Sequence, residues 1–224
     1  MDLSALQEWL SGHFGRKLHE IKILPCSGGD IHQAFKVETD TQTIFLKLNT
    51  IQNQKVLESE FQSLRYVNKL CAAAYFPKPI LFECLEQHCV LGMEFMSMQT
   101  IDQTNSICCA DGLRDFHSIQ NATFGWQQNN FIGSSPQVNS AKQNWADFFV
   151  ENRLLEQFKL LEQNGCDAQL LISLEASFKV IEQILRQREI EPRLVHGDLW
   201  TGNLAFNGEK KLLALYDPAT YVSK

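Results

Sequence analysis

Apolar residues Leu3, Leu6, Trp9 and Leu10 recur at helical spacing and predict a short amphipathic helix over residues 3–14. The pattern then switches to strand-like runs at residues 21–24, 34–38 and 44–48. In the third run Ile44, Leu46 and Leu48 share one face, while Phe45 and Lys47 point to the other. Helical spacing returns over 53–70, with Val56, Glu60, Leu64 and Val67 on one stripe and Glu58, Gln62 and Arg65 facing away. Pro77-Lys78-Pro79 breaks that helix, and two more strands follow at 80–83 and 89–96. Strand character gives way through Met93-Glu94-Phe95-Met96-Ser97, which predicts a joint between a strand-rich part, 1–95, and a helical part, 96–224. Helices are expected at 104–118, 143–163 and 168–188, the last two separated at Gly165. Near the end, Leu204-Ala205-Phe206, Asn207-Gly208 and the run Leu212 to Tyr216 read as a β-hairpin turning at Asn-Gly. The fold class is α+β, in two lobes.

Chemistry enters where this pattern is interrupted. Glu60 places a carboxylate on an apolar helical stripe, a costly position without a partner. Lys47, inside the strand before it, is the natural counter-ion; a snorkelling surface pair is the alternative. Leu194-Val195 leads into His196-Gly197-Asp198-Leu199-Trp200-Thr201-Gly202-Asn203, where Asp198 and Asn203 have the Asp-x-x-x-x-Asn spacing of a phosphoryl-transfer loop. The hairpin after Asn203 returns the chain at Asp217, towards the loop that carries Asp198. One carboxylate to take a hydroxyl proton, with an amide oxygen and a second carboxylate for a hard cation, is what phosphoryl transfer needs. His196 is expected to orient this loop rather than react. His117, near a helix end, reads as a packed or solvated histidine. Gly28-Gly29, between the first two strands, are open to two readings: a plain turn, or backbone N–H groups brought close to phosphates. Glu94, Phe95 and Met96, at the joint, are candidates for holding a nucleotide base through their backbone. The polar-aromatic stretch 123–142 is long for a loop, which predicts a functional or disordered segment.

Composition narrows the setting. The chain has 224 residues, 44% of them apolar, and a net charge of −6, with no basic stripe to suit nucleic acid. Met1-Asp2-Leu3-Ser4 lacks the basic start of an export signal, and no run approaches the roughly 18 apolar residues of a membrane span. The seven cysteines show no Cys-x-x-Cys spacing, which argues against zinc and for reduced thiols. The expectation is a cytoplasmic protein with no membrane or nucleic-acid partner; the oligomeric state is left open.

The motifs together resemble the fructosamine kinase (ketosamine-3-kinase) family, relatives of the aminoglycoside phosphotransferases. They are Asn129-Asn130-Phe131-Ile132-Gly133 with Pro136-Gln137 and Asn139, Asp147-Phe148-Phe149 with Arg153-Leu154, the loop from His196 to Asn203, and Asp217-Pro218-Ala219. Trp200 and the Asn129–Gly133 block set this family apart from the aminoglycoside branch. The resemblance implies a protein-kinase-like fold and transfer from Mg2+-bound ATP to a sugar hydroxyl of ketosamines, either small molecules or glycated protein lysines. By position, Asp198 would accept the proton, Asn203 and Asp217 would hold Mg2+, and Lys47 with Glu60 and the Gly28-Gly29 loop would set the phosphates. Glu94 to Met96 would form the nucleotide hinge. Two rivals are a small-molecule phosphotransferase of aminoglycoside or choline type, and a shortened kinase-like protein without activity. Two departures stand out. Asp30 occupies the place where some relatives carry a phosphate-loop cysteine. The chain stops soon after Tyr221, where relatives continue with several helices, so apolar helix surface is expected to be exposed.

Overall fold

The computed structural model describes residues 3–15, 17–26 and 32–223. Gly28 and Gly29 lie outside the described residues. The chain begins with α1 (Leu3–Phe14), followed by β1 (Lys22–Cys26), β2 (Gln33–Glu38) and β3 (Thr43–Thr50). Then come α2 (Gln54–Leu70), β4 (Ala74–Tyr75), β5 (Pro79–Cys84) and β6 (His88–Glu94). Strands β1, β2, β3, β6 and β5 form one antiparallel sheet in that order.

The alternation in β3 decides what covers each face of this sheet. Ile44, Leu46 and Leu48 join Leu6 and Leu10 of α1 in one core, with Val37 and Val90. Phe45 turns the other way, onto a core built from Leu57, Leu64 and Val67 of α2 with Leu91 and Met93 of β6. Lys47 shares that side and meets Glu60 there. The buried stripe of α2 runs through Leu57, with Val56 only half-buried.

After Glu94 the chain is irregular until α3 (Ser106–His117), so β6 ends two residues before the predicted strand end. Residues 123–142 are built around a short hairpin, β7 (Asn130–Ile132) with β8 (Ser135–Gln137). The same stretch is tied to the end of the chain by reciprocal Gly125–Val222 backbone bonds of 3.0 and 2.8 Å. The helix predicted over 143–163 contains α4 (Trp145–Phe149), a π-helical turn at Val150–Leu154, and α5 (Leu155–Gln163). A π turn inserts one residue into the helical repeat and re-aims the side chains around it, burying Asn152 here. In α6 (Ala168–Arg186), Leu171, Leu174, Phe178 and Ile181 are half-buried, whereas Leu170, Ile172, Val180 and Ile184 are exposed.

The chain closes with β9 (Arg193–Val195), β10 (Leu204–Asn207), β11 (Leu212–Leu215) and β12 (Tyr221–Ser223). The predicted hairpin is present, β10 against β11, and β11 pairs in parallel with β4. Its turn is not the expected two-residue Asn-Gly turn. Residues 208–211 make the reversal, with Asn207 accepting from the N–H groups of Lys210 and Lys211 and the positive φ (56°) falling on Lys211. Strand β12 returns antiparallel to β9, so the loops on either side of the hairpin start and finish side by side.

Candidate active site

The loop 196–203 leaves β9 and enters β10, and the segment 216–220 leaves β11 and enters β12. Fully buried His196 holds the two together. Its Nε2 contacts the carbonyl of Tyr216 at 2.9 Å, and since a carbonyl only accepts, Nε2 carries the proton. Nδ1 then accepts from the Asp198 N–H at 3.4 Å. Burial pushes the His196 pKa down, against the pull of the Tyr216 carbonyl and nearby carboxylates, so the imidazole is a neutral strut. Gly197 has φ 86°, and a Cβ there would sit 2.0 Å from the Ala219 carbonyl oxygen. Only glycine lets these two backbones approach so closely.

Asn203 fixes the Asp198 carboxylate. Its Nδ2 donates to the Asp198 backbone oxygen at 2.9 Å and to Asp198 Oδ2 at 3.1 Å. This leaves its Oδ1 as the amide's acceptor for another group. The Asn203 carbonyl accepts from the Tyr216 N–H at 3.2 Å, which brings Asp217 alongside.

Asp217 adopts φ 55°, unusual for a residue other than glycine, and its side chain is 46% exposed. Lys47 Nζ lies 2.7 Å from Asp217 Oδ1 and 2.8 and 2.9 Å from the two oxygens of Glu60. Burial alone would lower the Lys47 pKa, but Glu60 and Asp217 together raise it, so the ammonium stays charged. Burial pushes the Glu60 carboxyl up to about 7, against the attraction of Lys47. At Asp217 burial acts in the same upward sense, yet the adjacent Lys47 holds the carboxyl below its ordinary range.

The sequence reasoning missed His32, whose pKa is depressed to about 4 by burial and then by Lys47, against the pull of Asp217. Its Nδ1 meets Asn49 Nδ2 at 2.6 Å; an amide nitrogen only donates, so Nδ1 accepts. Its position, just after the glycine pair and at the mouth of β2, is the one signal in the sequence that could have found it.

Around the joint, the N–H of Glu94 donates to Lys78 O at 2.8 Å and that of Phe95 to Thr43 O at 3.4 Å, so both amides are engaged within the protein. Met96 is buried against Ala205 and Ala214. A cleft of about 400 Å³ opens just beyond them, lined by Met98–Ile101 on one side and by Thr201, Leu204, Ala205 and Tyr216 on the other. Glu94, Phe95 and Met96 do not line it. The structure thus joins Lys47, Glu60 and Asp217 in one contact chain, and Asp198 with Asn203 in another. His196 links the two.

This fold and site define a class. A Haemophilus somnus protein provisionally named fructosamine-3-kinase has a TM-score of 0.81, covering 98% of this chain and 72% of that one at 21% identity. A structure of an aminoglycoside phosphotransferase with AMP-PNP and hygromycin B gives 0.71, covering 98% and 73% at 16% identity. At such identities the likeness is one of fold, and the fold is the two-lobed protein-kinase-like one. The sequence goes further: the fructosamine kinase family model matches residues 3–224, and the chain belongs to the fructosamine kinase family. Among its relatives, a "probable ketoamine kinase" of Synechocystis is 33% identical over 201 residues, 87% of this chain and 65% of that protein. The chloroplastic protein-ribulosamine 3-kinase of Arabidopsis thaliana is 28% identical over 227 residues, 99% of this chain and 68% of that protein. The chain therefore spans about two thirds of the length of these relatives.

Proposed function

We propose that this chain is an ATP-dependent kinase acting on a sugar hydroxyl of ketosamines, of ribulosamine or fructosamine type, free or on protein lysines. One observation carries the reading: the Glu60–Lys47–Asp217 chain of contacts, buried at Glu60 and Lys47, lies across a shared backbone segment from the Asp198–Asn203 pair. Residues 1–95 serve as the nucleotide lobe and 96–224 as the lobe holding the catalytic loop. Membership of the fructosamine kinase family and similarity to a probable ketoamine kinase and a protein-ribulosamine 3-kinase support the acceptor class.

Each side chain has a task that follows from its contacts. Lys47 has three N–H donors, and all three are directed at Glu60 and Asp217. A phosphate entering here must displace one of them. Asp217, half-exposed and strained, is the easier to release, while buried Glu60 keeps the lysine aimed. Asp217 and the free Oδ1 of Asn203 offer hard oxygen donors from two residues, a set that suits Mg2+, which keeps several positions for phosphates and water. When bound there, the ion would neutralise charge on the phosphates. Asp198, oriented by Asn203 Nδ2, accepts the proton from the acceptor hydroxyl. His196 keeps Asp198 in register with Asp217.

Asp198→Asn is expected to reduce transfer to a ribulosamine by at least about a hundredfold, in keeping with loss of a general base. ATP affinity should stay within about twofold, because the base acts on the acceptor. Calorimetric ATP titration beside a turnover assay checks both, and turnover retained in the variant would remove Asp198 from this role.

A further inference from the structure

Asn130, Gln137, Asn139 and Arg153 make a buried polar network that the phosphoryl-transfer residues leave unexplained. Asn130, Gln137 and Asn139 are at most 5% exposed. Asn130 Nδ2 donates to the Thr220 carbonyl at 2.8 Å, and Gln137 Nε2 donates to the Ala219 carbonyl at 3.1 Å. Asn130 Oδ1 accepts from Gln137 Nε2 at 2.7 Å and from Asn139 Nδ2 at 2.8 Å, which fixes the orientation of all three amides. Arg153 Nη2 donates to Asn139 Oδ1 at 2.8 Å. Its guanidinium lies 4.6 Å from the ring centre of Phe148 and 4.2 Å from that of Tyr221. The π-helical turn carries Arg153, the β7–β8 hairpin carries Asn130 and Gln137, and Asn139 lies two residues beyond β8.

The two carbonyls at the end of this network follow Asp217 by two and three residues. Asp217 itself sits at φ 55°, and such a conformation persists in a non-glycine residue only where its surroundings over-determine it. The Ala219 carbonyl is also the atom packed against Gly197, directly before Asp198. A single backbone carbonyl is therefore clamped between Gln137 on one side and the catalytic loop on the other.

We infer that Asn130, Gln137 and Asn139, braced by Arg153, are positioning residues that set Asp217 relative to Asp198 and so govern how well the site takes a divalent cation with its nucleotide. This rests on the kinase reading above. The network acts through the backbone at 217–220, by its bonds to the Ala219 and Thr220 carbonyls.

The test compares Gln137→Leu and Asn130→Ala with Phe124→Leu on the intact chain. Phe124 is buried against Trp145 in the aromatic core that also holds Phe148 and Tyr221, and its side chain makes none of the network's hydrogen bonds, so it reports loss of packing beside Arg153 without loss of the amide clamp. ATP affinity is measured with Mg2+ and with EDTA, alongside thermal unfolding. The network variants should lose at least about tenfold in Mg2+-dependent affinity while EDTA-state affinity, held by Lys47, stays within about twofold. Their kcat should fall with little change in the acceptor KM. Phe124→Leu should lower the melting temperature and leave the Mg2+ increment intact. Equal Mg2+ increments in all four proteins would overturn the inference, as would an equal loss in Phe124→Leu. Should Gln137→Leu fail to fold, Asn130→Ala is read against the same control. A wild-type chain that folds but binds no ATP in either condition would remove the kinase reading and this inference with it.

Discussion

At the scale of single residues, the Lys47–Glu60 pair shows how much a buried charge depends on its partner. Both groups are nearly inaccessible, and each offsets the desolvation of the other. Removing the lysine leaves a buried carboxylate beside apolar helix residues. Lys47→Met is expected to destabilise the fold by about 3 kcal/mol. Adding Glu60→Leu should recover much of that loss, because the uncompensated charge goes with it. Urea unfolding of the two singles and the double gives the coupling; a double variant no more stable than Lys47→Met would contradict this account. Lys47 and Glu60 were legible in the sequence because each breaks an apolar pattern. His32 was not, since its place after the glycine pair does not by itself tell that the fold sets it within the electrostatic influence of Lys47 and Asp217.

At the scale of elements, turns and helix irregularities decide where the functional side chains point. The β10–β11 hairpin was readable, but the position of its strained residue was not. Asn-Gly satisfies a tight two-residue turn, whereas here the Asn207 side chain caps a longer one and moves the left-handed conformation to Lys211. Lys211→Gly should therefore stabilise the chain by about 1 kcal/mol, the cost of holding a side chain in that region. A lower melting temperature in this variant would show that the lysine makes compensating contacts. The π turn behind Arg153 is a second such case. The spacing of apolar residues predicted one helix through residue 163, and periodicity alone has no term for one inserted residue.

At the scale of the whole molecule, pH couples the site to stability. His32 titrates near 4 in the folded chain and at about 6.5 when unfolded. Between those values the unfolded state binds more protons, so this residue's contribution rises with pH from about 4 and levels off above about 6.5. His196 acts in the same sense, its folded pKa being lowered by burial. Glu60 works oppositely, because its folded pKa is raised. Comparing wild type with His32→Gln cancels those other terms. Lowering the pH from 7 to 5 should cost wild type more in melting temperature than the variant, and equal losses would show that His32 protonates freely in the fold. Among the described residues, no helix is long and apolar enough to cross a membrane.

The sequence by itself determined what is local or periodic. Alternation in β3 put Lys47 on the face away from Ile44, Leu46 and Leu48, helical spacing put Glu60 on an apolar stripe of α2, and the interval from Asp198 to Asn203 marked the loop that carries them. These are consequences of strand and helix geometry, which the order of residues specifies directly. Only the tertiary structure decided that Lys47 meets Asp217 across 170 residues, and that Asn130 and Gln137 hold the carbonyls beyond it. Only the fold also showed the cleft between Met98–Ile101 and the segments holding Thr201, Leu204, Ala205 and Tyr216. Such contacts join distant segments, and their geometry depends on how whole elements pack against each other rather than on any repeat along the chain.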